Sequence, residues 1–425
     1  MGSSSESGKA RLIPRVLFLA GLAASVLLLA ACGSSSSSSS SSASTNETAE
    51  ETETAEGTET TAADEGGGSK LTTVYAEGVP TLEELYEESP AEGPPKSGPK
   101  AATGKEVIWV SCGMEAPGCA HPAESFLEAA KAIGWKAKIV DGHLNANNGY
   151  ANAIRTAIAA DPDAIVTHGI NCDEAKTSFE EAKAAGIPLV EASNIDCSDP
   201  RVGGEQLITI GEQFNKEAKD TAAFYTKQGE HQAAYGVDAT EGKAKVILVE
   251  FEGLFGKNIG EGQRTVLEKC SECEILETIG FQASEEGPNQ QAYQKFNTAL
   301  IKYPEANAAI FAFDSNVTYT GLSKAVVDAG RADDMTVVGG EGFSEAVELV
   351  REGKGDTAEG GAWDNSWASW GIADEINRYF NGEASAPEGI GITAIDKDHN
   401  MPPKGQDYAT KVDYKKAYEE IWNGK

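Results

Sequence analysis

The sequence predicts an α/β protein of two lobes, each a parallel sheet flanked by helices, and three observations carry that prediction. From Lys105 onward, short apolar runs alternate with amphipathic stretches, which is the signature of βαβ units. The apolar runs lack polar alternation, as strands buried on both faces do. About 320 residues of this pattern exceed what one core holds, and a polar segment over 210–240 interrupts the rhythm, so two lobes follow.

Taken in order, EVIWVS at 106–111 predicts the first strand, and AESFLEAAKAIG at 123–134 a helix that ends on Gly134, a C-cap residue. AKIVD at 137–141, DAIVTHG at 163–169 and IPLVEAS at 187–193 read as strands. NAIRTAIAA at 152–160 and AKTSFEEAKAAG at 175–186 supply the helices between them. The alternation resumes with KVILVEF at 245–251, CEILETI at 273–279, AAIFAF at 308–313 and MTVVGG at 335–340, each followed by a helical segment. In open parallel sheets the loops after the strand C-termini face the crevice, so two such lobes place a cleft between them.

Ahead of this region, Lys9, Arg11 and Arg15 precede an apolar run from Val16 to Ala31, the order of an export signal. That run is short for a permanent span, which needs about 20 apolar residues. It ends in Leu29-Ala30-Ala31-Cys32, which resembles the lipobox of bacterial lipoproteins. The resemblance implies removal of residues 1–31, lipidation of Cys32, and residence on the extracytoplasmic face of the bacterial cell membrane. Residues 32–75, with nine consecutive serines and an acidic Thr/Glu/Ala tract, bury too little apolar surface to fold and read as a tether. Residues 76–104 read as a linker with a short helix.

The formal net charge is −32. Gly33 to Gly104 holds 14 acidic and 3 basic residues, a net −11, so most of the acidity belongs to the folded part. Such a surface argues against nucleic acid and against an electrostatic grip on anionic lipid, which leaves membrane attachment to the lipid anchor.

Besides Cys32 there are six cysteines, an even number that reads as disulfides in an exported chain, with fifteen pairings allowed. Cys172 and Cys197 each follow the end of a strand, and those strands are successive across one helical crossover, so we pair them. Cys112 with Cys119 closes a short loop after the first strand, and Cys270 with Cys273 remains. A single C-x-x-C and scattered histidines do not make a zinc site, and no metal or cofactor is expected.

The order of elements resembles the type I periplasmic binding proteins, in particular the ribose- and sugar-binding branch that serves ABC importers. VIWVSCG at 107–113, DGHLNANNGYANAIRTAIAADPDAIV at 141–166, AGIPLVEASN at 185–194, IGEGQ at 259–263, FAFDSN at 311–316, VVGGEG at 337–342 and VDYKKAYEEIW at 412–422 carry it. The fold implied is two Rossmann-like lobes joined by a three-crossing hinge, with closure on a ligand by hinge motion. Crossings are expected near 209–212, 362–365 and 390–394. Lobe 1 is then 105–210 plus 364–391, and lobe 2 is 211–363 plus 392–425.

The resemblance also implies site residues. Asp314 and Glu341 take positions that hydrogen-bond ligand hydroxyls, Trp363 lies at the second crossing, and Asn194 stands where sugar binders often have an arginine. Ser111 ends the first strand, Lys257 opens the helix after KVILVEF, and Trp367 lies one turn beyond Trp363 in GGAWDNSWASWG, at the first turn of the helix that follows. Trp370, deeper in the same helix, is expected in the core. Two departures stand out. Gly118 and Cys119 occupy places usually held by stacking aromatic rings, and Ile259 holds the second arginine position. Without both arginines the cleft keeps its carboxylates unbalanced.

The function expected is capture of a small polar ligand, a sugar or polyol, by a monomeric, non-enzymatic lipoprotein that delivers it to an ABC permease. Alternatives are a ligand-sensing subunit for a membrane receptor and a binder of a cationic or amine solute. A surface hydrolase is disfavoured by the absence of G-x-S-x-G, H-E-x-x-H and P-loop motifs.

Overall fold

A computed structural model describes residues 70–90 and 92–425. The export signal, Cys32 and most of the tether lie outside the described residues. Strands β1 (Glu106–Ser111), β2 (Lys136–Asp141), β3 (Ala164–His168) and β4 (Leu189–Ala192) form a parallel sheet in the order β2-β1-β3-β4. A second sheet is built from β5 (Lys245–Phe251), β6 (Glu274–Phe281), β7 (Ala308–Phe311), β8 (Thr336–Gly339), β9 (Ala358–Ala362) and β10 (Thr393–Ile395). Its order is β10-β9-β8-β7-β5-β6, with only β10 antiparallel.

β1 to β8 coincide with the eight apolar runs of the sequence; β9 and β10 do not. β9 reads Ala-Glu-Gly-Gly-Ala, with no β-branched residue. Its glycines answer to a helix overhead, since a Cβ on Gly360 would stand 2.9 Å from the Cα of Gln232, and one on Gly361 would stand 2.6 Å from the Gln228 Cγ.

That helix, Thr221–Ala239, fills much of the polar segment that interrupts the sequence pattern. Its buried glutamines explain the polarity. Gln232 Nε2 donates to the carbonyls of Ala312 (3.3 Å) and Gly339 (3.4 Å), and Gln263 Nε2 donates to Gln232 Oε1 at 2.8 Å. The helix thereby satisfies carbonyls at the strand ends, where an apolar face would leave them unpaired.

The chain passes from the first sheet to the second between β4 and β5, and returns after β9 with the helix Asn365–Phe380, which packs on the helix Pro117–Ile133. It crosses again into β10. The final helix, Tyr414–Trp422, expected with the second lobe, instead packs against the helices of the first. Trp422 stacks on Trp370 at 5.6 Å, and its Nε1 donates to Asp374 at 2.9 Å. Two large rings and a buried carboxylate outweigh the chain's continuity with β10.

The segment before β1 is packed on the second sheet. Ala76, Val79, Leu82 and Leu85 are buried in the same cluster as Val246 and Ile310, and Thr81 with Glu84 forms a capping box on the helix Leu82–Tyr86.

Disulfides join Cys112 to Cys119, Cys172 to Cys197 and Cys270 to Cys273. Cys172–Cys197 closes the longest loop, 25 residues, and both cysteines are fully buried. A Cys172→Ala, Cys197→Ala double variant is expected to lose about 3 kcal/mol in urea titration. A loss below about 1 kcal/mol would mean that the bridge constrains little in the unfolded chain.

Candidate functional site

The C-terminal strand ends of both sheets converge on one cavity of about 60 Å³. From the first lobe, Cys112 follows β1, Gly169 follows β3 and Ser193 follows β4. From the second, Phe251 ends β5, Phe313 follows β7 and Glu341 follows β8. The topology of parallel sheets thus places the cavity between the two lobes.

Four rings make one continuous wall. Tyr225 lies 5.2 Å from Phe255, and Phe251 and Phe313 lie 5.3 and 5.5 Å from the same Phe255. Tyr150, 1% exposed, adds a fifth ring from the first lobe. His168 also lines the cavity, and burial pushes its imidazole down to about 3, so the ring is neutral.

Two carboxyls end in the cavity, Glu286 and Glu341. Glu286 Oε1 accepts from Ser315 Oγ at 3.0 Å and from Asn316 Nδ2 at 2.9 Å, and burial pushes it up to about 7. Glu341 is raised well above the usual carboxylate range by burial and by the neighbouring Asp314. None of the residues lining the cavity, among the described residues, is lysine or arginine.

Of the seven ligand contacts expected from sequence, Glu341 alone lines this cavity. Asp314 sits behind it. Its Oδ1 accepts from the N–H groups of Gly340 (3.0 Å) and Glu341 (2.6 Å), and its Oδ2 accepts from Phe343 N–H at 2.7 Å. Its own N–H donates to Glu341 Oε2 at 3.2 Å. Asp314 is therefore a positioning residue that folds the Glu341 loop into shape.

The other five are engaged elsewhere. Ser111 Oγ donates to the Cys119 carbonyl at 2.9 Å. Asn194 Nδ2 donates to Thr167 Oγ1 and the Ile170 carbonyl, which ties the loops after β3 and β4 together. Lys257 is exposed to solvent. Trp363 packs edge-on against Phe214 and Phe224, at 5.8 and 5.1 Å. Trp367 stacks on Tyr414 at 5.5 Å. For both tryptophans the apolar core of the first lobe outcompetes the cavity, because it buries the whole ring.

Several lining residues escaped the sequence reading although their signal was there. Phe251, Phe313, His168 and Ser193 each end or follow an apolar run, the position that faces the crevice. Glu286, Tyr150 and Tyr225 carry no such signal, since they come from loops and helix starts that the fold brings in. The departure at Gly118 also acquires a reason. A Cβ there would stand 3.3 Å from Glu341 Oε2, so the residue in place of a stacking ring leaves room for a carboxylate.

His121 on the helix Pro117–Ile133 meets two carboxylates, of the second lobe and of the C-terminal segment. Nδ1 lies 2.8 Å from Asp407 Oδ2, and Nε2 lies 3.3 Å from Glu345 Oε1. With both ring nitrogens facing oxygen, the arrangement suits an imidazolium, since a metal-bound imidazole turns one nitrogen to the ion. The hydrogen bonds to Asp407 and Glu345 push His121 up to about 10, and the one from His121 pulls Glu345 down to about 2.

Because the folded pKa of His121 is raised, its contribution is full below the unfolded value near 6.5 and fades as pH rises through about 10. His121→Gln is expected to cost about 2 kcal/mol at pH 6, discounted for partial exposure, with the gap to the wild type closing toward pH 10. A gap independent of pH would show that the imidazole acts by packing on Phe343 alone, which it meets edge-on at 5.2 Å.

A model of the periplasmic binding protein domain matches residues 116–384. No curated protein sequence matches the chain. Among solved structures, an ABC sugar transporter subunit from Rhodobacter sphaeroides is 22% identical with a TM-score of 0.53, covering 70% of this chain and 99% of that one. A periplasmic solute binding protein from Actinobacillus succinogenes with bound D-allose is 19% identical, with a TM-score of 0.55 and coverage of 69% and 98%. A periplasmic ribose ABC transporter protein from Conexibacter woesei is 19% identical, with a TM-score of 0.52 and coverage of 71% and 94%. These likenesses are of fold, and they agree with the two-sheet topology and the order of elements. With more than half of its length matched by the family's model, the chain belongs to the periplasmic binding protein family.

Proposed function

We propose that this protein is a lipid-anchored, extracytoplasmic solute-binding subunit that captures a small polar solute between its lobes and delivers it to an ABC permease. The observation that carries the reading is a cavity lined from the strand ends of both sheets, a geometry in which closure of two lobes excludes water from a solute. The names of the similar structures, an ABC sugar transporter subunit and proteins for allose and ribose, support a sugar or polyol. Cys32 would hold the protein at the membrane, with the Ser-rich and acidic tether giving it reach. No chemistry on the solute is required.

Thermal unfolding of the purified full-length chain against pentoses, hexoses, polyols and amines tests the reading. A bound solute at about a hundred times its Kd adds about 2.7 kcal/mol to the native state, a readily measured rise in Tm. Turnover of a substrate with no Tm shift from any solute would defeat it. Loss of membrane association on Cys32→Ala tests the anchor separately.

A further inference from the structure

We propose that the cavity selects a solute carrying positive charge on nitrogen, a small protonated amine or quaternary ammonium; this rests on the cavity being the solute site. Glu286 and Glu341 both line the same cavity of about 60 Å³. Glu341 is 6% exposed, and the hydrogen bond it accepts there is from a backbone N–H. Glu286 is 9% exposed and is met by a hydroxyl and an amide. All of these donors are neutral. A buried carboxyl without a cationic partner avoids the desolvation cost of its charge by holding a proton, and two in one cavity disfavour ionisation of both; a bound cation would let them ionise.

The protein does not supply the missing charge. His168 is neutral, and no lysine or arginine lines the cavity among the described residues. His121, whose field reaches Glu341, is engaged by Glu345 and Asp407. A cation on the solute would complete the site with a charge-assisted hydrogen bond or ion pair.

The remaining wall points the same way. Tyr150, Tyr225, Phe251, Phe255 and Phe313 line the cavity, and aromatic rings attract a cation placed over their faces, most strongly where water is excluded. Three of the five are phenylalanines, which offer no donor or acceptor to the hydroxyls of a neutral sugar. Carboxyls beside a wall of aromatic rings are the complement of an organic ammonium.

The test is isothermal titration of the purified full-length chain with two matched pairs: choline against 3,3-dimethylbutan-1-ol, and D-glucosamine against D-glucose, at a pH where the glucosamine amine is protonated. The charged member of at least one pair is expected to bind about tenfold tighter or more than its neutral counterpart. Glu286→Gln and Glu341→Gln, which preserve side-chain size, are each expected to bring that ratio down severalfold, with circular dichroism reporting that the variants are folded. If a variant does not fold, the ratio on the unaltered protein still decides. Equal or tighter binding of the neutral members, or a ratio unmoved in both folded variants, overturns the inference. Binding of neutral sugars alone overturns it while leaving solute capture standing, whereas binding of neither class counts against both.

Discussion

Trp363→Ala is expected to destabilise the protein by about 3–5 kcal/mol, one of the largest losses available from a single ring. Trp363 is 2% exposed and meets Phe214 and Phe224 edge-on, so truncation leaves a cavity between rings that β4's loop and the helix Thr221–Ala239 hold in place. The stacked pair Phe214–Phe224, 3.9 Å apart, cannot close over that gap without giving up its own contact. Chemical denaturation of the variant measures the loss. A near-native midpoint together with abolished solute binding would assign the ring to the ligand instead. The backbone of Trp363 does touch the site, since Asn365 Nδ2 bridges the carbonyls of Glu341 and Trp363 at 3.3 and 3.1 Å. Weakened binding in this variant is therefore expected to scale with the stability loss and to be recovered in part by Trp363→Phe.

The second large effect is on pH. Burial pushes Glu174, Glu191, Glu286, Glu375 and Asp238 up to about 7, and raises Glu212, Glu341, Asp356, Glu359 and Glu388 well above the usual carboxylate range. Several of these lie together, Glu212 with Glu191, Glu375 and Glu388 at the hinge, and Asp356 with Glu359 and Asp314 beneath the Glu341 loop. Each folded pKa lies above its unfolded value near 4, so the native state holds protons that the unfolded chain has released. Their stabilising contribution is full below pH 4 and is lost as pH rises through about 7 and beyond. Each such proton weighs about 1.4 kcal/mol per pH unit between the two pKa values. The Tm is therefore expected to fall by about 10 °C or more from pH 5 to pH 8, and His121 adds to the trend in the same direction. A Tm that is flat or rises over that interval would mean that these carboxyls are ionised and hydrated in the native state.

How much of this was legible in the sequence depended on whether a local pattern recorded it. The eight strands β1 to β8 were, because a strand packed under helices needs an apolar run, and even the part-exposed edge strands β2 and β6 keep one. Cys172 and Cys197 could be paired because consecutive strands sit side by side. β9 was illegible because its glycines serve the approach of a helix from far along the chain, and the helix Thr221–Ala239 because its glutamines serve carbonyls at the ends of β7 and β8. The site was read less well than the fold. Glu341 reaches the cavity, but Asp314, chemically similar and also at a strand end, spends its carboxylate on three backbone N–H groups. The tryptophans of GGAWDNSWASWG divide among neighbours from distant segments: Phe214 and Phe224 for Trp363, Tyr414 for Trp367, Trp422 for Trp370.

By itself the sequence determined the two-lobed α/β architecture, the strand ends where a cleft had to form, and the acidity of the chain. These follow from periodicity, length and residue type, which act over one or two turns or strands. Only the tertiary structure decided which carboxyls and rings share the cavity, because a carboxylate or an indole goes to whichever partners desolvate it at the lowest free energy. Those partners lie up to hundreds of residues away, as Thr81–Glu88 does from Ile392–Thr410, where the Glu88 carboxylate accepts from Thr410 Oγ1 at 2.8 Å.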